Sequence, residues 1–157
     1  MSSRHAATTL ASLFLGVVMQ PVFAQSTVEP QHPGDPGYDA LLAAAVAPVD
    51  AAFGGRVQVS VERLDRLGRW AFLQGTLRGA DGGAPDYSGT SYAERAVTGG
   101  MSNVYVALLQ SDAAPGGGVD TGTQIAWSLV DHAIGPSDVA WLTWPTKHAA
   151  PRQLFGF

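Results

Sequence analysis

The chain has 157 residues, with 9 Lys and Arg against 13 Asp and Glu, and it contains no cysteine. Its formal net charge of −4 argues against non-specific binding to nucleic acid or to an anionic membrane surface, because both require excess positive charge. The lack of cysteine excludes disulfides, thiolate nucleophiles and thiolate metal sites. The length is that of one ordinary domain.

The N-terminal segment has the three parts of a secretory signal. A basic start, MSSRH, is followed by a mostly apolar run over residues 6–19, and the small residues Val22 and Ala24 flank Phe23. This pattern predicts that residues 1–24 are a cleaved signal peptide, with the cut after Ala24. We therefore expect a periplasmic or secreted protein with no membrane span after signal cleavage.

The first element predicted after the signal is a helix. Residues 25–36 are rich in Pro and Gly and indicate a flexible leader, so a single domain is expected over residues 37–157. Asp35 and Pro36 suit a helix start, Pro48 is expected to kink or restart the helix, and Gly54-Gly55 ends it. Its apolar positions recur at helical spacing: Tyr38, Leu41, Leu42, Ala45, Val46, Val49 and Phe53.

Four strands are predicted next. Alternation over residues 57–61 and 70–77, around the turn DRLG, indicates an antiparallel pair. The apolar run over residues 103–110 predicts a central strand, and residues 123–134 predict the last one. Simple alternation in the last strand places Val130, His132 and Ile134 on one face and Leu129, Asp131 and Ala133 on the other.

These elements predict an α+β fold, with the N-terminal helix packed on a twisted antiparallel sheet of about four strands and a short C-terminal helix. At the level of architecture this arrangement is similar to the cystatin-like and nuclear-transport-factor-like folds. We also expect the C-terminal APRQLFGF to dock on the domain, because Leu154, Phe155 and Phe157 are apolar.

The stretch IGPSDVAW, residues 134–141, has two interpretations. In the structural one, Ser137 caps a short helix, Asp138 lies in its first turn, Pro145 ends it, and Trp141 and Trp144 pin it to the sheet. In the functional one, Ser137 and Asp138 contact a ligand while the two indoles form a pocket wall.

No catalytic residue, metal ligand or cofactor site is predicted. Asp131 and His132 are adjacent on a strand and so point to opposite faces, and the glycine-rich stretches lack the context of a phosphate loop. His32, His132 and His148 are too dispersed to predict a metal site. The candidate residues for binding a ligand or partner are Tyr87, Tyr92, Asp131, His132, Asp138, Trp141 and Trp144.

Five sequence blocks carry a resemblance to a known family. The blocks are RWAFLQG at 69–75, DYSGTSYA at 86–93, VYVALLQ at 104–110, IGPSDVAW at 134–141 and APRQLF at 150–155. In their order and spacing the chain resembles a family of small exported single-domain proteins of Gram-negative bacteria, which has no established activity. The resemblance implies no catalytic residues. Two departures are Arg69, where the family tends to have Asp, and Ser102-Asn103 in place of an acidic pair.

Two functions remain open at the level of sequence. The first is an exported, non-enzymatic domain that binds another protein, an envelope component or a small ligand, through aromatic residues typical of recognition surfaces. The second is a small pocketed hydrolase or isomerase of the nuclear-transport-factor-like type, with His132 or Asp131 as its general base.

Overall fold

A computed structural model describes residues 27–112, 125–136 and 138–157. The strands are β1 (Glu29–Pro30), β2 (Val57–Leu67), β3 (Trp70–Gly79), β4 (Val104–Ser111) and β5 (Trp127–Ile134). The helices are α1 (Tyr38–Phe53), α2 (Ala93–Val97) and α3 (Trp144–His148), with 3-10 turns at Ala140–Thr143 and Arg152–Phe155. Within these ranges, no helix is both long and apolar enough to cross a membrane.

The predicted α+β class is confirmed, but among the described residues the sheet has five antiparallel strands rather than four, in the order β1-β2-β3-β4-β5. The additional strand lies in the stretch expected to be a flexible leader, where Glu29 pairs with Arg66 and Pro30 with Asp65. Two residues are too few to show alternation, and proline is tolerated in a strand at the edge of a sheet. Strand β1 could therefore not be predicted from the sequence pattern.

Helix α1 runs through Pro48 without a restart and covers one face of the sheet. Its last residue is Phe53, and Gly54 caps this end with a left-handed φ of 59° and an amide that donates to the Asp50 carbonyl at 2.8 Å. The buried Tyr105 hydroxyl of β4 donates to the Ala45 carbonyl at 2.6 Å, tying helix to sheet. The helix residues buried in this contact are Tyr38, Leu41, Ala45, Val49 and Phe53.

The other face of the sheet is covered by the C-terminal segment, residues 140–157. Trp144, Leu154 and Phe155 are buried there against Phe72 and its sheet neighbours. Arg63 of β2 donates to the carbonyl oxygens of Leu154 and Phe155 and so anchors the segment. The expected docking of Leu154 and Phe155 is therefore found, while Phe157 stays 42% exposed.

A register shift in β5 changes which side chains share a face. Leu108 pairs with Asp131 and Leu109 with Leu129, so Val130 is an extra residue between them. Val130 packs with the C-terminal segment, as does Ala133, whereas His132 pairs with Ala107 on the α1 face. The prediction that Val130 shares a face with His132 was wrong, because strict alternation fails at a bulge.

The C-terminal helical region also differs from its prediction. Residues 140–143 form a 3-10 turn, and α3 begins at Trp144 with Pro145 in its first turn, so Pro145 does not end the helix. Proline suits the first turn because the amide it lacks would have no partner within the helix. Asp138 precedes the helical residues, and the predicted cap Ser137 lies outside the described residues.

Candidate functional site

A groove of about 390 Å³ lies beside β5, the last strand of the sheet. Three of the predicted candidates, Tyr92, His132 and Asp138, meet in it, and Arg95 joins them. Tyr92 and His132 are half-buried, while Arg95 and Asp138 are exposed. The complete lining is Tyr92, Arg95, His132, Ala133, Ile134, Pro136, Asp138 and Ala140.

One wall of the groove is built by the loop that precedes α2. The Thr90 hydroxyl donates to the Tyr87 carbonyl at 2.7 Å and accepts the Tyr92 amide at 3.1 Å, which holds the turn closed. The rings of Tyr87 and Tyr92 then meet edge to face, with centroids 6.5 Å apart. Because α2 follows at once, Arg95 lies one turn beyond Tyr92 and reaches the same groove.

The opposite wall is the junction after β5, which centres on Gly135. Arg95 donates to the Gly135 carbonyl at 3.3 Å, and the Ser102 hydroxyl donates to the Pro136 carbonyl at 2.6 Å. The Tyr87 hydroxyl donates to the Ser102 carbonyl at 2.7 Å, so the loop and the junction are joined by hydrogen bonds.

The environment of Tyr87 preserves this hydrogen bond. Burial raises the pKa of the Tyr87 hydroxyl, and the nearby Arg95 guanidinium offsets part of that rise. The phenol therefore stays protonated and remains a donor beneath the groove. Tyr87 is 8% exposed and packs on Phe53, which makes it a support for the site rather than part of its lining.

The open side of the groove offers a guanidinium, an imidazole, a phenol ring and a carboxylate. Arg95 can donate to a carboxylate or another anionic group, and Tyr92 provides a flat apolar surface beside it. Asp138 can accept a hydrogen bond from a donor on the same ligand. This arrangement suits the binding of a small polar group or of a chain terminus.

Asp131 lies on the opposite face of the sheet from His132 and takes no part in the groove. One oxygen, Oδ2, accepts from Lys147 Nζ at 2.8 Å and lies 2.7 Å from His148 Nε2, while Oδ1 accepts the His132 amide at 2.8 Å. Burial raises the pKa of the Asp131 carboxyl, but the hydrogen bonds from Lys147, His148 and the His132 amide together lower it below its ordinary value. The ionised carboxylate thus anchors α3 to the sheet.

The two tryptophans also lie outside the groove. Trp144 is buried and meets Phe72 edge to face at 6.3 Å, and Trp141 lies 6.3 Å from the same ring. Phe155 completes this aromatic cluster, 5.0 Å from Phe72. The indoles hold the C-terminal segment on the sheet, as the structural interpretation of IGPSDVAW predicts.

Three charged or titratable residues of these sites, Arg95, Lys147 and His148, were missed at the level of sequence. Arg95 could have been found from its spacing of three residues from Tyr92, which places both on one face of a helical turn. His148 could not, because its contact with Asp131 depends on how the C-terminal segment folds back across the sheet. In the described ranges, no group of three or more His, Asp and Glu side chains could hold a metal ion.

No family model, no curated protein and no solved structure matches this chain.

Proposed function

We propose that this protein is an exported, non-enzymatic binding domain of the bacterial periplasm, similar to the family of small exported proteins that its sequence blocks resemble. The observation that carries the proposal is the groove in which Tyr92, Arg95, His132 and Asp138 converge. Its occupant is a protein, an envelope component or a small ligand that presents a carboxylate or another anionic group to Arg95.

The distribution of charged groups favours binding over catalysis. A general base is commonly oriented by a second polar group, and the neighbouring carboxylate of Asp131 is engaged by Lys147 and His148 on the other face of the sheet. The alternative of a small hydrolase or isomerase then relies on His132, since the bound and ionised Asp131 is a weak base.

The element order favours the cystatin-like of the two proposed architectures. A short strand, one long helix and a four-strand meander follow one another along the chain, with the short helix α2 inserted between β3 and β4. Helix α1 fills the sheet face that would line an enclosed pocket, which supports recognition at an edge of the sheet.

The proposal is tested by following backbone amide shifts by NMR while adding N-acetylated dipeptides that carry a free C-terminal carboxylate. Binding should shift amides in residues 92–95 and 132–136, and Arg95→Gln should abolish those shifts while the fold is retained. Arg78→Gln is the matched control, since Arg78 is an exposed arginine outside the groove lining. Unchanged groove amides, or equal binding by Arg95→Gln, would reject this site.

The enzyme alternative is tested separately by titrating the His132 ring by NMR and by assaying His132→Ala on ester and isomerase substrates. If turnover by the purified protein were lost in His132→Ala, the non-enzymatic assignment would be wrong. We expect no turnover that depends on His132.

A further inference from the structure

The outer edge of β2 is unpaired over most of its length. In the described part of the chain, β1 pairs only with Arg66 and Asp65, and the Gln31 amide reaches the Leu64 carbonyl. Residues 57–63 therefore present their outward backbone groups without a neighbouring strand among the described residues. An edge of this kind is a template for another strand.

An apolar groove of about 340 Å³ runs beside this edge, between α1 and β2. Leu42, Val46 and Val49 lie along one stripe of α1, and Val57 and Val59 alternate along β2. Leu42, Val46 and Val59 are half-buried and so keep apolar surface open to an added chain. A strand placed next to β2 would cover this stripe with every second side chain.

The chain's own leader runs away from this edge. Since β1 is antiparallel to β2, the residues before Glu29 lead toward Leu67. Val28 packs with the cluster on the opposite face of the sheet, and the residues after Gln31 lead to the start of α1. Neither described flank of β1 runs along residues 57–63.

The acidic residues beside the groove between α1 and β2 indicate the charge that an occupant carries. Helix α1 contains Asp39 and Asp50 and no basic residue. Asp50 lines the groove at the end where β2 begins, and it has no ion pair within the described ranges. An occupant with a basic side chain at that end would place its charge next to the Asp50 carboxylate.

We propose that the β2 edge binds an extended segment of a partner protein as an added antiparallel strand. The segment alternates apolar side chains facing α1 with polar ones, and its C-terminal end carries a basic residue facing Asp50. This surface lies toward the opposite edge of the sheet from the groove beside β5 in which Tyr92, Arg95, His132 and Asp138 converge, called the Arg95 groove from here on. It is independent of the function proposed above.

The test uses protein purified after expression of the full-length chain, with the peptide acetyl-Val-Thr-Val-Thr-Val-Thr-Lys-amide as the probe. Binding should protect backbone amides of residues 57–63 from hydrogen exchange. A peptide with proline as its central residue should not bind, because proline cannot donate to the ladder. Binding that is equal with the proline peptide, or no protection at this edge, would overturn the proposal.

Two variants test the roles of charge and apolar surface. Asp50→Lys should reverse the preference, so that a Glu-ended peptide binds about two- to fivefold better than the Lys-ended one, the range expected of an exposed ion pair. Val46→Asp should weaken binding, whereas Val97→Asp, at a valine that is 89% exposed on α2, should not. If charge reversal left the peptide preference unchanged, a basic partner segment would be excluded.

The alternative occupant of the β2 edge, in place of a partner segment, is a second copy of this chain. If the wild-type protein were a dimer that Val46→Asp dissociated in the absence of peptide, the edge would be a self-association surface and the proposal would be wrong. Arg95→Gln should leave peptide binding at the β2 edge unchanged, so the two proposals can fail separately.

Discussion

Gly135 occupies a position that a residue with a side chain could take only with strain. Its φ is +54°, and a Cβ built there would lie 2.6 Å from Met101 Cε, 2.7 Å from the Ser102 carbonyl oxygen and 2.7 Å from the Tyr87 hydroxyl. Both the backbone conformation and the space therefore require glycine at this position. The junction that forms one wall of the Arg95 groove depends on it.

Gly135→Ala should lower the free energy of unfolding by about 3 kcal/mol, since steric overlap adds to the left-handed backbone strain. Urea denaturation, with the slope of the transition compared between variants, measures the change. The matched control is Gly82→Ala, at φ +80° with no atom within 4 Å of the added Cβ, which should cost about 1 kcal/mol. If both variants lost the same free energy of unfolding, the close contacts around Gly135 would make no contribution to the cost of the substitution.

At the residue scale, the sequence predicts the role of side chains that is set by a local pattern. Trp141 and Trp144 are three residues apart and pack on one ring, Phe72, as their spacing predicts. The prediction for Pro145 was wrong, because proline is acceptable both after a helix and in its first turn, and the pattern alone does not decide between them.

At the scale of elements, Asp131 of β5 faces the C-terminal segment and contacts α3, while the adjacent His132 faces the α1 side of the sheet. Lys147 and His148 come from the last turn of α3, and their contacts with Oδ2 of Asp131 hold that helix against the sheet. The carboxylate therefore links two elements that are distant in sequence.

Asp131→Asn should lower the free energy of unfolding at neutral pH by about 1 kcal/mol, less than a fully buried charged hydrogen bond contributes, because Lys147 is exposed to solvent. The folded state lowers the pKa of the Asp131 carboxyl, so the unfolded state takes up a proton first as the pH falls. The stabilisation is thus present above the ordinary value of 3.8 and is lost as the pH falls through and below it.

Urea denaturation of wild type and Asp131→Asn between neutral pH and acid checks this, and the two curves should converge at the acid end. The control is Asp50→Asn, at an exposed aspartate with no ion pair in the described ranges, which should change stability by less than about 0.5 kcal/mol. If the free energies of unfolding of wild type and Asp131→Asn differed by the same amount at every pH, the contacts assigned to the ionised Asp131 carboxylate would be wrong.

The elements themselves were predicted unevenly. Helix α1, strands β3 and β4 and the first half of β2 follow from periodicity, which each segment carries by itself. The predicted turn at DRLG was wrong, because β2 continues to Leu67 after a register shift between Val61 and Arg63 that interrupts its alternation. Strand β1 and the faces of β5 do not, because the first is too short for a pattern and the second depends on an extra residue opposite β4. The Arg95 groove was predicted in part, through Tyr92, His132 and Asp138.

At the scale of the whole molecule, both faces of the sheet are covered. Helix α1 packs on one face and the C-terminal segment on the other, so the two grooves lie at the sides of the sheet. This layered arrangement buries the apolar residues of strands such as β4, where Tyr105 faces one layer and Val106 the other.

Expression of the full-length chain in a Gram-negative host should give a periplasmic protein that begins at Gln25, as measured by intact mass after fractionation. Ala24→Leu should block processing, because cleavage requires a small residue at that position. Ala6→Leu is the control, since it lies outside the cleavage motif and should be processed normally. An unprocessed wild-type chain in the cytoplasm would contradict the predicted export.

The sequence by itself determined the α+β class, the end of α1 at Gly54 and the presence of the strands β2, β3 and β4, because apolar periodicity is a local property that each segment carries alone. Only the tertiary structure decided which side chains meet. Asp131 contacts Lys147 and His148, and Arg95 lines one groove with His132 and Asp138, since these contacts arise from strand register and chain reversal over long separations in sequence.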